Sequence, residues 1–260
     1  MIVQHNVNQS INHLLDLIWY VHETDLPLER QEDIIVPSGH IHIVYNFMDP
    51  YFLKTPKGLL QVPDIVLVGQ FKKAMHIQYG KDVKQLGLAF SPTAFRKLFG
   101  EVSGLYMETM VDCHLMSGMK GLHDVILKIV DESHSPDEII ESTEKYFTSL
   151  SIEDTNEKVY DDMIVYIESR KGLIDVSQMA YHFGYSMSAL ERNFKKVLGL
   201  TPKAYANIVR FRYAVLEEDP TCLFYDQSHY IKNCKKYTGK IPADLSQSEE
   251  ISLLNMLNMK

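Results

Sequence analysis

The feature that most constrains the fold is a segment the chain carries twice. "ERNFKKVLGLTP" occupies residues 191–202, and "IKNCKKYTGKIP" occupies residues 231–242, forty positions later. Asn193, Lys195, Lys196, Gly199 and Pro202 recur as Asn233, Lys235, Lys236, Gly239 and Pro242. Arg192 is matched by Lys232, Ser188 by Ser228 and Tyr185 by Tyr225. Upstream of the tyrosines the match ends. Apolar residues every three or four positions, closed by glycine, describe a helix that ends in a left-handed turn. The chain therefore holds two copies of one basic helix, and only the first follows the pattern of another helix.

That first copy lies in "IDVSQMAYHFGYSMSALERNFKKVLG". A helix starting near Asp175 or Val176 ends at Gly184, which permits a left-handed turn. Ser186 then caps a second helix running to Leu198. Helix, short glycine turn and helix make the helix-turn-helix pattern. Leu190, Phe194, Val197 and Leu198 form the buried stripe of the second helix. Ser188, Arg192, Lys195 and Lys196 lie opposite, with Ala189 and Glu191 at the margins. Such a helix presents its exposed face to the major groove of DNA. Arg192 suits guanine, Glu191 suits the cytosine amino group, and the lysines suit phosphates. In the second copy Ser228, His229, Lys232, Lys235 and Lys236 take the places of Ser188, Ala189, Arg192, Lys195 and Lys196, and Gln227 joins them as a DNA-facing candidate. A charged helix face is often merely solvated, but solubility does not explain a basic helix repeated with the same Gly-x-x-Pro ending.

The net charge of −8 argues at first against nucleic acid, because phosphates need a basic surface. Its distribution reverses the argument. Residues 1–154 carry 12 Lys/Arg against 21 Asp/Glu, whereas residues 155–245 carry 13 against 11. Within the second part, residues 188–212 hold six basic residues against Glu191, and residues 226–240 hold four against Asp226. This asymmetry assigns different tasks to the two halves. No apolar run approaches the ~18 residues of a membrane span, and the N-terminus lacks the basic region and cleavage site of a signal peptide. Cys113, Cys222 and Cys234 lack CxxC spacing, which fits reduced thiols in a cytoplasmic protein.

The first half reads as β structure. From Gly39 to about Leu88 the period is two. "HIHIVYNF" puts Ile41, Ile43, Tyr45 and Phe47 on one face and His40, His42, Val44 and Asn46 on the other. Short apolar runs punctuated by Pro and Gly predict an antiparallel sandwich or small barrel. "SPTAFRKLFG" predicts a helix capped by Ser91, with Pro92 at its first position and Gly100 at its end. Leu122, Val125, Ile126 and Ile129 share one helical stripe. Ser135 and Pro136 open the next helix, and a third runs to Gly172 with Val159, Met163, Tyr166 and Ile167 inward. Polar "SIEDTNEK" marks a boundary. Trp19 and Tyr20 read as core.

Residues 174–242 resemble the DNA-binding domain of AraC/XylS-family transcription regulators. "MAYHFGYSMSALERNFKKVLGLTPKAYANIVRFRYA" is similar to that family's first helix-turn-helix and connecting helix, and "YDQSHYIKNCKKYTGKIP" to its second recognition helix and closing signature. "VPSGHIHIVYNFMDP", "LVGQ" and "LGLAFSPTAFRKLFG" resemble the cupin-like sensor domain of one subgroup, and "LLDLIWYVHE" fits its start. The resemblance implies an α+β chain. A cupin-like antiparallel β-sandwich or barrel spans 1–115, and helices at 116–154 link the halves or dimerise. An all-α helix-turn-helix domain covers 155–245, followed by an amphipathic tail at 246–260. Two recognition helices joined by a long helix would enter successive major-groove segments. Tyr205, Ile208, Val209, Phe211 and Ala214 would pack the connecting helix, and Arg210 and Arg212 would contact backbone or form ion pairs. The partners implied are double-stranded DNA, a small-molecule effector and a second copy of the chain. No cofactor, catalytic residue or membrane is implied.

The chain departs from that pattern at one place. Only eleven residues, "VLEEDPTCLFY", separate Ala214 from Asp226. Roughly a dozen residues are missing, those of the second motif's supporting helix. Pro220 disfavours a substitute α-helix. The second recognition helix, with Tyr230, Cys234 and Tyr237 inward, is then expected to pack directly on the connecting helix in a displaced orientation, leaving DNA binding mainly to the first motif. Two alternatives stay open: a degenerate regulator acting through protein contacts, and a metal-dependent cupin enzyme using His40 and His42. The second lacks the glutamate expected after the histidines, since Tyr45, Asn46 and Phe47 stand there. Nucleotide, zincin and hydrolase motifs are absent, and "GYSMS", near a hydrolase pattern, follows a helix rather than a strand.

Overall fold

The two-residue period of the first half becomes strand pairing in the computed structural model, which describes residues 2–7, 11–12, 14–100, 103–150, 158–216 and 220–245. Ten strands are found there: β1 (Ile2–Asn6), β2 (Leu15–Glu23), β3 (Glu32–Ile35), β4 (Ile41–Asn46), β5 (Phe52–Thr55), β6 (Gly58–Gln61), β7 (Ile65–Val68), β8 (Met75–Gln78), β9 (Val83–Phe90) and β10 (Met110–Asp112). They form a six-stranded sheet in the order β1-β2-β9-β4-β7-β10 and a four-stranded sheet in the order β3-β8-β5-β6. All the pairings between them are antiparallel.

The register of β4 on β9, with Ile41 opposite Phe90 and Ile43 opposite Leu88, decides which side chains share a face. Leu17, Trp19, Val44, Val66 and Ala89 face the second sheet and meet its Ile77 in one apolar cluster. Ile18, Tyr20, Ile41, Ile43 and Tyr45 face the opposite way. They are covered by α1 (Ala94–Phe99), α2 (Lys120–Glu132) and α3 (Pro136–Ser149), which contribute Phe95, Leu122, Ile126, Ile140 and Phe147. With both faces covered, β7 ("IVLV") is buried throughout and does not alternate. The stripes of α2 and α3 are spent on this sheet. Ser135 caps α3 as expected, accepting from Glu138 N.

Two expectations need correction here. The first of these helices begins at Ala94 with Thr93 as its flanking residue, so Ser91 and Pro92 stand before it in a turn. The Thr93 hydroxyl is spent on the Asp161 carboxylate instead of capping the helix. His40 stands before β4 rather than on it, while His42 lies on β4 and is half-buried. His40 is buried with Nε2 2.5 Å from Asp16 Oδ2, and His42 Nε2 is 3.0 Å from Ser38 Oγ. Among the described residues no three His, Cys, Asp or Glu side chains are grouped to hold a metal. The polar boundary at 151–157 and the tail at 246–260 lie outside the described residues.

The second half is helical: α4 (Lys158–Glu168), α5 (Val176–His182), α6 (Met187–Leu198), α7 (Pro202–Leu216), α8 (Gln227–Thr238) and the short α9 (Pro242–Leu245). Met163, Ile167, Met179, Leu190, Phe194, Val209 and Phe211 build its core. Ile34 of β3 and the adjacent Val36 enter the same core, so the halves share packing. No helix among the described residues is long and apolar enough to cross a membrane.

Candidate nucleic-acid interface

The helix-turn-helix forms where its capping residues place it. Asp175 accepts from Ser177 N at 2.7 Å and Gln178 N at 3.2 Å, starting α5. Gly184 turns at φ 72°, and Tyr185 N returns to Ala180 O at 2.9 Å. Ser186 accepts from Ala189 N at 3.3 Å, and Gly199 ends α6 in the left-handed region. Leu190, Phe194, Val197 and Leu198 are buried, whereas Ser188, Glu191, Arg192, Lys195 and Lys196 are exposed and Ala189 is half-buried. Among the described residues no carboxylate pairs with Arg192, Lys195 or Lys196.

The second helix repeats this frame with less support. Asp226 accepts from His229 N at 2.7 Å, and Gly239 closes α8. Gln227, Ser228, Lys232, Lys235 and Lys236 are exposed. Two of the expected residues are partly engaged: the His229 ring stands edge-on to Phe224 at 5.3 Å, and Lys236 Nζ donates to Tyr237 Oη at 3.1 Å. Between α7 and α8 the described residues form only a 3-10 turn, Pro220–Leu223. Tyr185 is half-buried beside α5, while its counterpart Tyr225, just after that 3-10 turn, is 94% exposed. Phe224 takes over part of the missing support, stacking on Tyr230 at 5.3 Å, and Tyr237 packs on Phe211 of α7 at 5.0 Å.

The connecting helix α7 buries Tyr205, Ile208, Val209, Phe211 and Ala214. Its arginines do not reach outward. Arg212 is buried and donates to Glu168 Oε1 and Oε2 at 2.6 and 2.7 Å and to Ser38 O at 3.3 Å. Arg210 donates to Asn207 Oδ1 at 2.5 Å and lies over the Phe224 ring. Two of the six cations between 188 and 212 therefore serve internal contacts. Tyr205 Oη donates to Glu168 Oε1 at 3.3 Å, and burial, with Glu168 beside it, raises its hydroxyl well above the ordinary range.

Sequence patterning gave no signal for the contact between the β domain and α6. A Cβ on Gly104 would lie 2.5 Å from the Lys196 carbonyl oxygen, and one on Gly199 would lie 2.4 Å from Met107 Sδ. The loop around 104–107 is thus seated on the C-terminal end of α6, immediately behind the lysines. His76 of β8 approaches Gly239 at the end of α8 in the same manner, 4.0 Å from where a Cβ would sit. An arginine at 212 within the apolar run "NIVRFRYAV" was the one visible hint that α7 makes a polar contact inside the molecule.

A family model described as a domain of unknown function, DUF6597, matches residues 5–112, the β domain. No curated protein matches the chain. Apo ToxT from Vibrio cholerae is similar over 92% of this chain and 98% of its own, with 11% identity and a TM-score of 0.53. Unsaturated fatty acid-bound ToxT from Vibrio cholerae aligns over 94% of both chains at 10% identity with a TM-score of 0.44. The AraC-like transcriptional activator CuxR aligns over 84% of this chain and 77% of its own at 11% identity with a TM-score of 0.25. The likeness to apo ToxT is one of fold, and it runs through both halves. The chain is an α+β protein with the ToxT fold, an antiparallel β domain followed by helices, which is the architecture implied by the AraC/XylS resemblance.

Proposed function

We propose that the chain is a DNA-binding transcription regulator of AraC type that reads DNA mainly through α6 and is controlled by a small effector. The observation that carries this reading is the pair of capped basic helices. They share one frame, and the first stands on a complete two-helix support with its cations unpaired. Arg192 and Glu191 supply base readout, and Lys195 and Lys196 supply phosphate contacts. α8 contributes less, because a single turn and Phe224 replace its supporting helix. The β domain is the sensing part, and its contact with the end of α6 gives it purchase on the DNA-reading element. Control from there requires two states that the effector distinguishes.

The test is fluorescence anisotropy with labelled duplexes from a genomic fragment pool. Arg192→Ala should narrow the gap between preferred and random sequences, while Lys195→Ala with Lys196→Ala should weaken both alike. Unchanged binding in both variants would end the reading. The engaged Lys236 and thin support of α8 favour a second reading, a regulator acting through protein contacts with little DNA affinity. The same titration decides it, since that reading requires no salt-dependent binding.

A further inference from the structure

A cavity of about 380 Å³ lies between the two halves of the molecule, walled by Asp16 and His40 of the β domain and by Asp161, Glu168 and Arg212 of α4 and α7. This volume suits a small organic molecule. Its charges are layered. Asp16 is held by His40 at 2.5 Å, Asp161 by Lys97 at 2.6 Å and Glu168 by Arg212 at 2.6 Å. The three donor side chains are only 3–7% exposed, and the three carboxylates are 22–31% exposed. All three carboxylates line the space and are the more open member of each pair, whereas Lys97 lies outside the lining and His40 and Arg212 show it little surface. An entering anion would meet three carboxylates and find every one of these donor groups but Arg212 Nε already committed; an entering cation would meet acceptors with capacity to spare. Ile164 and Val165 supply an apolar wall, and Arg212 Nε, buried without a hydrogen-bond partner, belongs to the same lining.

We infer that this cavity binds a small organic cation: a primary amine or guanidine with a short apolar stem, preferably carrying a hydroxyl that can accept from Arg212. Bound there, it would touch the β domain and α7 at once, and α7 joins the two recognition helices. The ligand would therefore favour the docked arrangement, a consequence that rests on the regulator reading. Binding itself does not depend on that reading and is measured without DNA.

The experiment is calorimetric titration of the full chain with pentylamine, 5-aminopentanol, pentanol and pentanoate. Both amines should bind at least tenfold more tightly than pentanol or pentanoate, and Asp16→Asn with Asp161→Asn should remove that preference. Val165→Arg, at an exposed wall position, should abolish amine binding while circular dichroism stays native, which covers the case of carboxylate variants that fail to fold. Equal or tighter binding of pentanoate, amine binding unchanged in the variants, or no amine binding would each overturn the inference.

Discussion

Replacing Arg212 with methionine tests the buried ion pair that joins α7 to α4 and the single bond by which it reaches Ser38 of the β domain. The guanidinium makes two bonds of 2.6 and 2.7 Å to Glu168 and one of 3.3 Å to Ser38 O, from a side chain 3% exposed. Removing one partner of a buried pair costs about 3–5 kcal/mol, because the other charge is left uncompensated. Glu168 keeps 22% exposure and regains some hydration, which places Arg212→Met near the lower end, about 3 kcal/mol. That is on the order of a hundredfold in the folding equilibrium. Glu168→Gln leaves the more deeply buried guanidinium against a neutral acceptor and should cost at least as much. The double variant Arg212→Met, Glu168→Leu removes both charges and should return to within about 1 kcal/mol of the parent. Urea unfolding followed by far-ultraviolet dichroism and by fluorescence gives the values. The one tryptophan, Trp19, lies in the β domain and reports that half separately from the helices. Because Ile34 and Val36 still join the two cores, the two probes should report coincident transitions in the parent and in Arg212→Met. A loss below about 1 kcal/mol, or additive losses in the double variant, would refute the Arg212–Glu168 pair as a stabilising buried contact between α4 and α7.

Gly104→Ala puts a methyl 2.5 Å from a backbone oxygen of α6; it should cost about 1–3 kcal/mol and weaken DNA binding without touching any base-reading residue, measured by unfolding and anisotropy on the same preparation. Burial, with His40 beside it, lowers His42 to about 3 from 6.5. The unfolded chain therefore takes up this proton first. Full stability holds above about pH 6.5 and falls towards pH 3, by up to about 2 kcal/mol between pH 7 and 5. Unfolding at the two pH values should show this difference, and His42→Gln should flatten it.

Much of this fold was legible because its signals are local. Ser186 caps the helix it was expected to cap, α5 and α3 start where Asp175/Val176 and Ser135/Pro136 were expected to open them, and the alternation around Ile41, Ile43 and Tyr45 assigned both faces of β4 correctly. Pro220 rightly disfavoured an α-helix before α8, where a 3-10 turn stands. What escaped is what only the contact between halves decides. Thr93 left the capping role for Asp161, so the helix starts later than Ser91 suggests. Ile34 and Val36 of the β domain lie in the helical core. Arg212 forms an ion pair, one of the two roles expected of it, but its partner Glu168 and its contact at Ser38 O lie far away in sequence and gave no signal there. The tyrosine pair that ends the sequence repeat diverges for the same reason, because α5 supports Tyr185 and, among the described residues, only a 3-10 turn leads to Tyr225.

The central claim is that this chain grips DNA chiefly through α6. It is tested most directly by the slope of log affinity against log salt for the parent, for Lys195→Ala/Lys196→Ala and for Lys235→Ala/Lys236→Ala. Each lysine–phosphate contact contributes about 0.9 to that slope. The account predicts a slope reduced by about 2 in the first variant and by less than about 1 in the second. Equal reductions in both variants, or a parent protein whose DNA affinity does not depend on salt, would contradict it.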